Sequence, residues 1–349
     1  MKRLLCILLM LTLTISLAAC GGGEAAEPQT DDTATAGTEE TVEDDSTPAE
    51  DTAAEAPATG DTITVGIVNN PPSESGYREA NVKDFEEAFS AANGYDAKTF
   101  YSLKNDEQLN AAQQFITDGV DYLLISAAET TGWDSVLKSA QEAGIKVFLF
   151  DRMIDCDESL YEAAVVSNME NEGKLAVEWL QAKALDSYKI IHIQGAMGSD
   201  AQIGRTGPLD EQVSAGAMEI VVQQTATWDE AEAKKITEAV INSGEEFNIV
   251  YAENDGMARG AVAALDEAGI THGKDGDVII MGFDCNKWAL EEVLAGNWNY
   301  DGQCSPFQAS VIDEMIKSGA APSSKVIISE ERGFDCDTIT QDDIDKYGI

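Results

Sequence analysis

Polar residues that follow apolar runs are the first candidates for chemistry in this chain. Ile63–Val68 leads into Asn69-Asn70-Pro71-Pro72-Ser73-Glu74, Val147–Phe150 into Asp151-Arg152, Ile249–Ala252 into Glu253-Asn254-Asp255, and Ile279–Gly282 into Phe283-Asp284. Amides, carboxylates and guanidinium groups at rigid strand ends are fixed hydrogen-bond donors and acceptors, a pattern suited to gripping a polar small molecule. Covalent or metal chemistry has weaker support. His192 sits within Ile191-His192-Ile193 and His272 before Gly273, both far in sequence from cysteine or carboxylate sets with metal-ligand spacing. No GxxxxGK[ST] loop is present, so any nucleotide hydrolysis belongs to a separate subunit. The many acids could furnish a glycosidase pair, but nothing in the sequence places two of them across one bond. The reading is a binding protein with no enzyme activity, cofactor or metal.

The elements that carry these ends alternate. Strand-forming runs at Ile63–Val68, Ala97–Ser102, Tyr122–Ser126 and Lys146–Phe150 are separated by helical stretches at Ser75–Ala92, Asp106–Thr117 and Gly132–Ala143. A second series begins after Asn168 with a helix to about Lys183. It continues through Lys189–Ile193, Gln202–Ala217, Ile220–Thr225, Asp229–Asn242, Phe247–Val250, Met257–Glu267 and Val278–Gly282. Alternation of this kind predicts βαβ units around parallel sheets. The uninterrupted apolar runs at 122–125, 147–150 and 278–281 predict strands covered on both faces. The expected fold class is α/β, with two doubly wound lobes joined by a hinge. Ligands of such sheets bind beyond the C-terminal strand ends, where the polar residues lie.

The 349 residues carry a net charge of -42, which disfavours nucleic acid as a partner because phosphate binding relies on Lys and Arg. Met1-Lys2-Arg3, the apolar run Leu4–Leu17 and Leu17-Ala18-Ala19-Cys20 form an export signal over residues 1–20. Its ending resembles a bacterial lipoprotein signal, which implies acylation of Cys20 and anchoring at the extracytoplasmic face of the cell membrane. Residues 21–60 hold twelve acids and no Lys or Arg, with Val42 the only larger aliphatic residue, and read as a disordered acidic tether. Cys156, Cys285, Cys304 and Cys336 remain in the body, compatible with one or two disulfides or with buried free thiols.

From Asp61 on, several ordered features resemble the type I periplasmic sugar-binding proteins of ABC importers, especially the galactofuranose-binding branch. They are Glu74-Ser75-Gly76-Tyr77-Arg78-Glu79-Ala80-Asn81, Phe150-Asp151-Arg152, Gly198-Ser199-Asp200-Ala201-Gln202-Ile203-Gly204-Arg205, Asn254-Asp255-Gly256-Met257-Ala258 and Gly282-Phe283-Asp284. The resemblance implies two lobes closing over one sugar, joined by three chain crossings near Ser167, Gln303 and Lys325. That assigns 61–166 plus 304–325 to the N-terminal lobe and 167–303 plus 326–349 to the C-terminal lobe. It also implies ligand contacts from Glu74, Arg78, Asp151 and Arg152 on the first lobe, from Arg205, Asn254 and Asp284 on the second, and from Gln303 at a crossing. Trp228 matches a position that presents an aromatic face to the sugar. Two residues depart from the pattern: Pro208, where the helix is expected to start or bend, and Tyr77, where the branch carries tryptophan. The implied partners are a monosaccharide, galactofuranose-like or another pentose or hexose, and an ABC permease with a separate ATPase subunit. An alternative role is presentation of a sugar or quorum signal to a membrane receptor. A gene regulator on the same fold would need a basic DNA-binding module before residue 61, where this chain has a signal and an acidic tether.

Overall fold

The computed structural model describes residues 62–322 and 324–349. The signal, Cys20 and the acidic tether lie outside the described residues. The first lobe is built on a six-stranded parallel sheet in the order β11-β5-β4-β3-β1-β2. Its strands are β1 (Ile63–Asn69), β2 (Tyr95–Tyr101), β3 (Tyr122–Ile125), β4 (Lys146–Asp151), β5 (Ala163–Val166) and β11 (Val326–Ile328), with helices α1 (Gly76–Ala88), α2 (Asn105–Asp118), α3 (Asp134–Glu142) and α9 (Ala309–Ser318). The second lobe repeats the plan with β6 (Lys189–Gln194), β7 (Glu219–Thr225), β8 (Ile249–Ala252), β9 (Ile279–Phe283), β10 (Tyr300–Gly302) and β12 (Gly333–Asp335) in the order β12-β10-β9-β8-β6-β7. Helices α4 (Met169–Ala182), α5 (Asp200–Ser214), α6 (Glu230–Ser243), α7 (Asp255–Ala268), α8 (Lys287–Ala295) and α10 (Gln341–Tyr347) belong to it.

Successive strand residues point to opposite faces, which explains why the central strands are apolar throughout. Leu123, Ile125 and Leu149 pack with Phe115, Val136 and Leu137 on one side of the first sheet. Leu124, Phe148 and Phe150 pack with Phe85 and Ile312 on the other. The second sheet does the same, with Ile191, Ile193 and Val250 facing α6 and α7, and Ile190, Tyr251 and Met281 facing α4. Each buried aliphatic side chain contributes about 1.5–3 kcal/mol relative to exposure, so both lobes hold independent cores on either face of their sheets.

The chain passes between lobes three times. β5 ends in the first sheet at Val166 and α4 begins at Met169, β10 ends in the second sheet at Gly302 and α9 packs on α1, and β11 returns to the first sheet before β12 joins the second. The third passage therefore lies between Ile328 and Gly333, not near Lys325: Val326–Ile328 pairs in parallel with Ala164–Val166, extending the first lobe by an edge strand. The second sheet also departs from a purely parallel plan, because β12 arrives from that short crossing and pairs antiparallel to β10. Pro208 neither starts nor ends α5; the helix runs through it from Asp200 to Ser214.

Candidate ligand-binding site

The C-terminal strand ends of both sheets and the N-termini of the helices that follow them face each other across a cleft. Five of these helix starts are held by a side-chain cap: Ser75 accepts from Arg78 N, Asn168 from Asn171 N, Ser199 from Gln202 N, Asp229 from Glu232 N and Asn254 from Met257 N. Capping fixes the turn between strand and helix, and with it the neighbouring polar side chains. Backbone strain marks the same places. Among the described residues, the non-glycine positions with left-handed φ are Asp151, Thr227, Trp228, Asp284, Cys285 and Ala184, and the first five lie at cleft-facing strand ends. Such conformations cost on the order of 1–3 kcal/mol each and persist where surrounding structure enforces them.

On the first lobe, Arg78 is fully buried and spends its guanidinium within that lobe. It donates from Nε to Glu74 at 3.0 Å, from Nη1 to Asn69 and Asn81 at 2.9 and 3.0 Å, and from Nη2 to Asp151 at 2.6 Å. Asp151 also accepts from Ser126 Oγ at 2.7 Å and from Tyr77 Oη at 2.8 Å. Burial alone would raise this carboxyl, but Arg78, Arg152 and Ser126 together hold it down at about 2. Arg152 differs. It is 5 % exposed, its nearest carboxylates are Asp151 at 3.5 Å and Glu74 at 3.6 Å, and its Nε and Nη1 are buried without hydrogen-bond partners.

On the second lobe, Arg205 donates from Nε to Glu172 at 2.8 Å, from Nη1 to the Glu253 carbonyl, and from Nη2 to Asp284 at 3.1 Å. The first of these is possible because α4 and α5 meet at glycines: a Cβ on Gly173 would lie 2.6 Å from the Gly204 carbonyl. Burial pushes Asp284 up to about 7, against the pull of Arg205. Asp255, directly behind, rises to about 8 through burial and the Asp284 charge. Asp255 pins Asn286 through the backbone and side-chain N–H groups at 2.8 and 3.0 Å. Trp228 is 5 % exposed, lies under Arg152 at 5.7 Å from ring centroid to guanidinium carbon, and has a buried Nε1–H without a partner. Its ring packs on Gly195, where any Cβ would overlap it.

These groups enclose a tight cleft with a free volume of about 20 Å³, close to that of one water molecule. Glu74, Asp151, Arg152, Arg205, Trp228, Asn254 and Asp284 line it, joined by Ser75, Tyr77, Met169, Ala201 and Cys304. Arg78 and Gln303 are not on its wall: Arg78 lies behind Asp151, and Gln303, with Oε1 buried and unpartnered, sits on the second crossing. The lobes touch around the cleft. Thr130 N donates to the Gly198 carbonyl at 3.0 Å, Met153 N donates to Asp200 Oδ2 at 2.9 Å, and Asn286 Oδ1 is seated against Gly76.

Residues 65–312 match the family model described as a periplasmic binding protein domain. The chain belongs to the periplasmic binding protein family. The galactofuranose-binding protein YtfQ of Escherichia coli strain K12 is 34% identical over 273 residues, covering 74% of this chain and 84% of that protein. The fructose import binding protein FruE of Bifidobacterium longum is 30% identical over 262 residues, 73% of this chain and 78% of the relative. The solved periplasmic binding protein component of the arabinose ABC transporter from Shewanella sp. ANA-3 aligns with a TM-score of 0.73 at 29% identity, covering 82% of this chain and 95% of that one. The protein is an extracytoplasmic solute-binding protein of the monosaccharide class within the ABC-importer families, and it is not an enzyme.

In this binding protein, some residues that shape the site have roles that the sequence does not show. Glu253 is fully buried and accepts from His192 Nε2 at 2.9 Å, Thr206 Oγ1 at 2.5 Å and Gly195 N at 2.7 Å, while its carbonyl holds Arg205. It ties β6, α5 and β8 together beneath the ligand wall. His192 is thus a structural partner of a carboxylate, although the two are 61 residues apart in sequence. Glu172 and Cys304 were equally hidden, since only the folded chain brings them to Arg205 and to the cavity. The cysteines at 156, 285, 304 and 336 are free thiols.

Proposed function

We propose that the protein captures one neutral monosaccharide between its lobes, with Arg152, Arg205, Asp151, Glu74, Asn254, Asp284 and Trp228 as direct contacts and Arg78 and Gln303 as supports from behind the wall and from the hinge. The observation that carries this reading is the unsatisfied donor set in the closed cleft: Arg152 Nε and Nη1 and Trp228 Nε1 are buried without acceptors. Buried donors of this kind demand acceptors, and sugar hydroxyl and ring oxygens supply them at this spacing. Charge favours a neutral ligand. The three guanidinium groups of Arg78, Arg152 and Arg205 stand among four carboxyl groups, Glu74, Asp151, Glu172 and Asp284, so the cleft has no excess of cationic side chains for a carboxylate-bearing sugar. Furanose forms head the ligand panel, because the relatives include a galactofuranose-binding protein and a structure bound to arabinofuranose.

Delivery to a permease with its own ATPase subunit, and tethering to the extracytoplasmic membrane face through acylated Cys20, complete the proposal. The experiment is a thermal-shift screen of the purified protein against pentoses, hexoses, furanose-forming members and uronic acids. Ligand binding to the native state alone raises its apparent stability with concentration. A saturable shift with one neutral sugar supports the proposal; shifts confined to uronic acids, or none at all, overturn it.

A further inference from the structure

The three crossings converge on one cluster of ligating groups outside the sugar contacts. Glu172 follows the first crossing, Cys304 lies on the second and Glu331 on the third, and each offers a donor atom within 4.8 Å of the other two. Ser167, on the first crossing itself, donates from Oγ to Glu331 Oε1 at 2.6 Å and sits 3.4 Å from Cys304 Sγ. Glu172 Oε2 is occupied by Arg205, but Oε1 is buried with no partner, on a residue only 2 % exposed. A buried carboxylate oxygen left alone is costly, so a donor or cation is expected to meet it. The donor set suits a cation: two carboxyl groups and a sulfur face one another, and the single guanidinium beside them, Arg205, is already engaged by Glu172 and Asp284.

We propose that this hinge cluster binds one divalent transition-metal ion of the zinc class through Cys304 Sγ, Glu172 and Glu331. A thiolate with two carboxylates suits a borderline-soft ion with tetrahedral preference, and does not suit calcium or magnesium, which take oxygen donors. Metal binding displaces the thiol proton of Cys304, since the thiolate is the ligating form. Glu331 is partly exposed and gives the ion its way in. Because one ligand comes from each crossing or its immediate flank, the ion fastens the hinge. Because Glu172 holds Arg205 and Cys304 lines the cavity, it also links to sugar affinity.

The test is a Zn²⁺ titration of the chelator-treated full chain, with free metal followed by a competing chromophore, repeated on Cys304→Ser and Glu331→Gln. The expected result is one equivalent per chain, bound at least tenfold more weakly in each variant. Cobalt(II) substitution of the wild type provides a readout that does not depend on the variants folding, since a thiolate ligand gives a near-ultraviolet charge-transfer band. Absence of stoichiometric uptake, uptake retained in both folded variants, or a cobalt complex without the thiolate band overturns the proposal. The first of these outcomes would mean that a proton alone occupies the cluster.

Discussion

Two neighbouring arginines in the first lobe should respond in opposite ways to truncation. Arg152 has two buried N–H-bearing nitrogens without partners, and its nearest carboxylates lie at 3.5 and 3.6 Å, beyond good hydrogen-bond length. Asp151 stays paired with Arg78 at 2.6 Å when Arg152 is removed, so Arg152→Ala should leave the fold nearly intact. Its cost appears on binding. Losing a buried charged donor to the ligand is worth about 2–5 kcal/mol, which corresponds to roughly 30-fold to several-thousand-fold in Kd. Arg78→Ala should do the reverse. It strips Asp151 and Glu74 of their shared cation inside the lobe, and breaking a buried pair costs about 3–5 kcal/mol of stability. Calorimetric sugar titration and denaturant unfolding of both variants are the assays. Equal affinity in Arg152→Ala, or unchanged stability in Arg78→Ala, would refute the division of roles.

Three further outcomes follow from closure and burial. Gly76→Ala places a Cβ on the seat of Asn286 Oδ1, whose side chain Asp255 pins, so sugar affinity should fall at least tenfold while the first lobe keeps its stability; an unchanged titration argues against this closed contact. Asp200→Ala removes the acceptor for Met153 N across the lobes, a charge-assisted bond worth about 1.5–3 kcal/mol, and should speed sugar dissociation in stopped-flow traces; unaltered off-rates contradict it. Glu172, Asp255 and Asp284 have folded-state pKa values raised to about 8, 8 and 7, chiefly by burial. Groups raised in this way bind more protons folded than unfolded, so their contribution favours the native state below about pH 4 and is lost as pH rises toward 8. The melting temperature should decline between pH 5 and 8, and a rising profile over that interval would contradict the assignment.

Much of this architecture was legible because apolar runs and polar strand ends are local signals. Tyr122–Ile125 and Lys146–Asp151 announce buried central strands by composition, and Asp151-Arg152 follows directly at the cleft. The strands at the β11 side of the first sheet were not legible. Ala163–Val166 is four small residues long, and Val326–Ile328 is a strand only because β5 offers it a partner, so the third crossing shifts past Ile328. Pro208 warned of a helix boundary, yet tertiary packing of α5 on α4 carries the helix through it. The division of labour between Arg78 and Arg152 was also beyond sequence reading. Both are arginines after strand ends, and only the positions of Asn69, Asn81, Ser126 and Asp151 reveal that one guanidinium is saturated and the other open.

A monosaccharide that bridges the two lobes across their strand ends is expected to stabilise the closed arrangement. Small-angle X-ray scattering of the protein, before and after saturation with the sugar that shifts its melting curve, tests this most directly. A decrease in the radius of gyration on binding, absent in Arg152→Ala at the same sugar concentration, is the predicted result. Superimposable curves for the free and saturated protein, with calorimetry showing full occupancy, would contradict it.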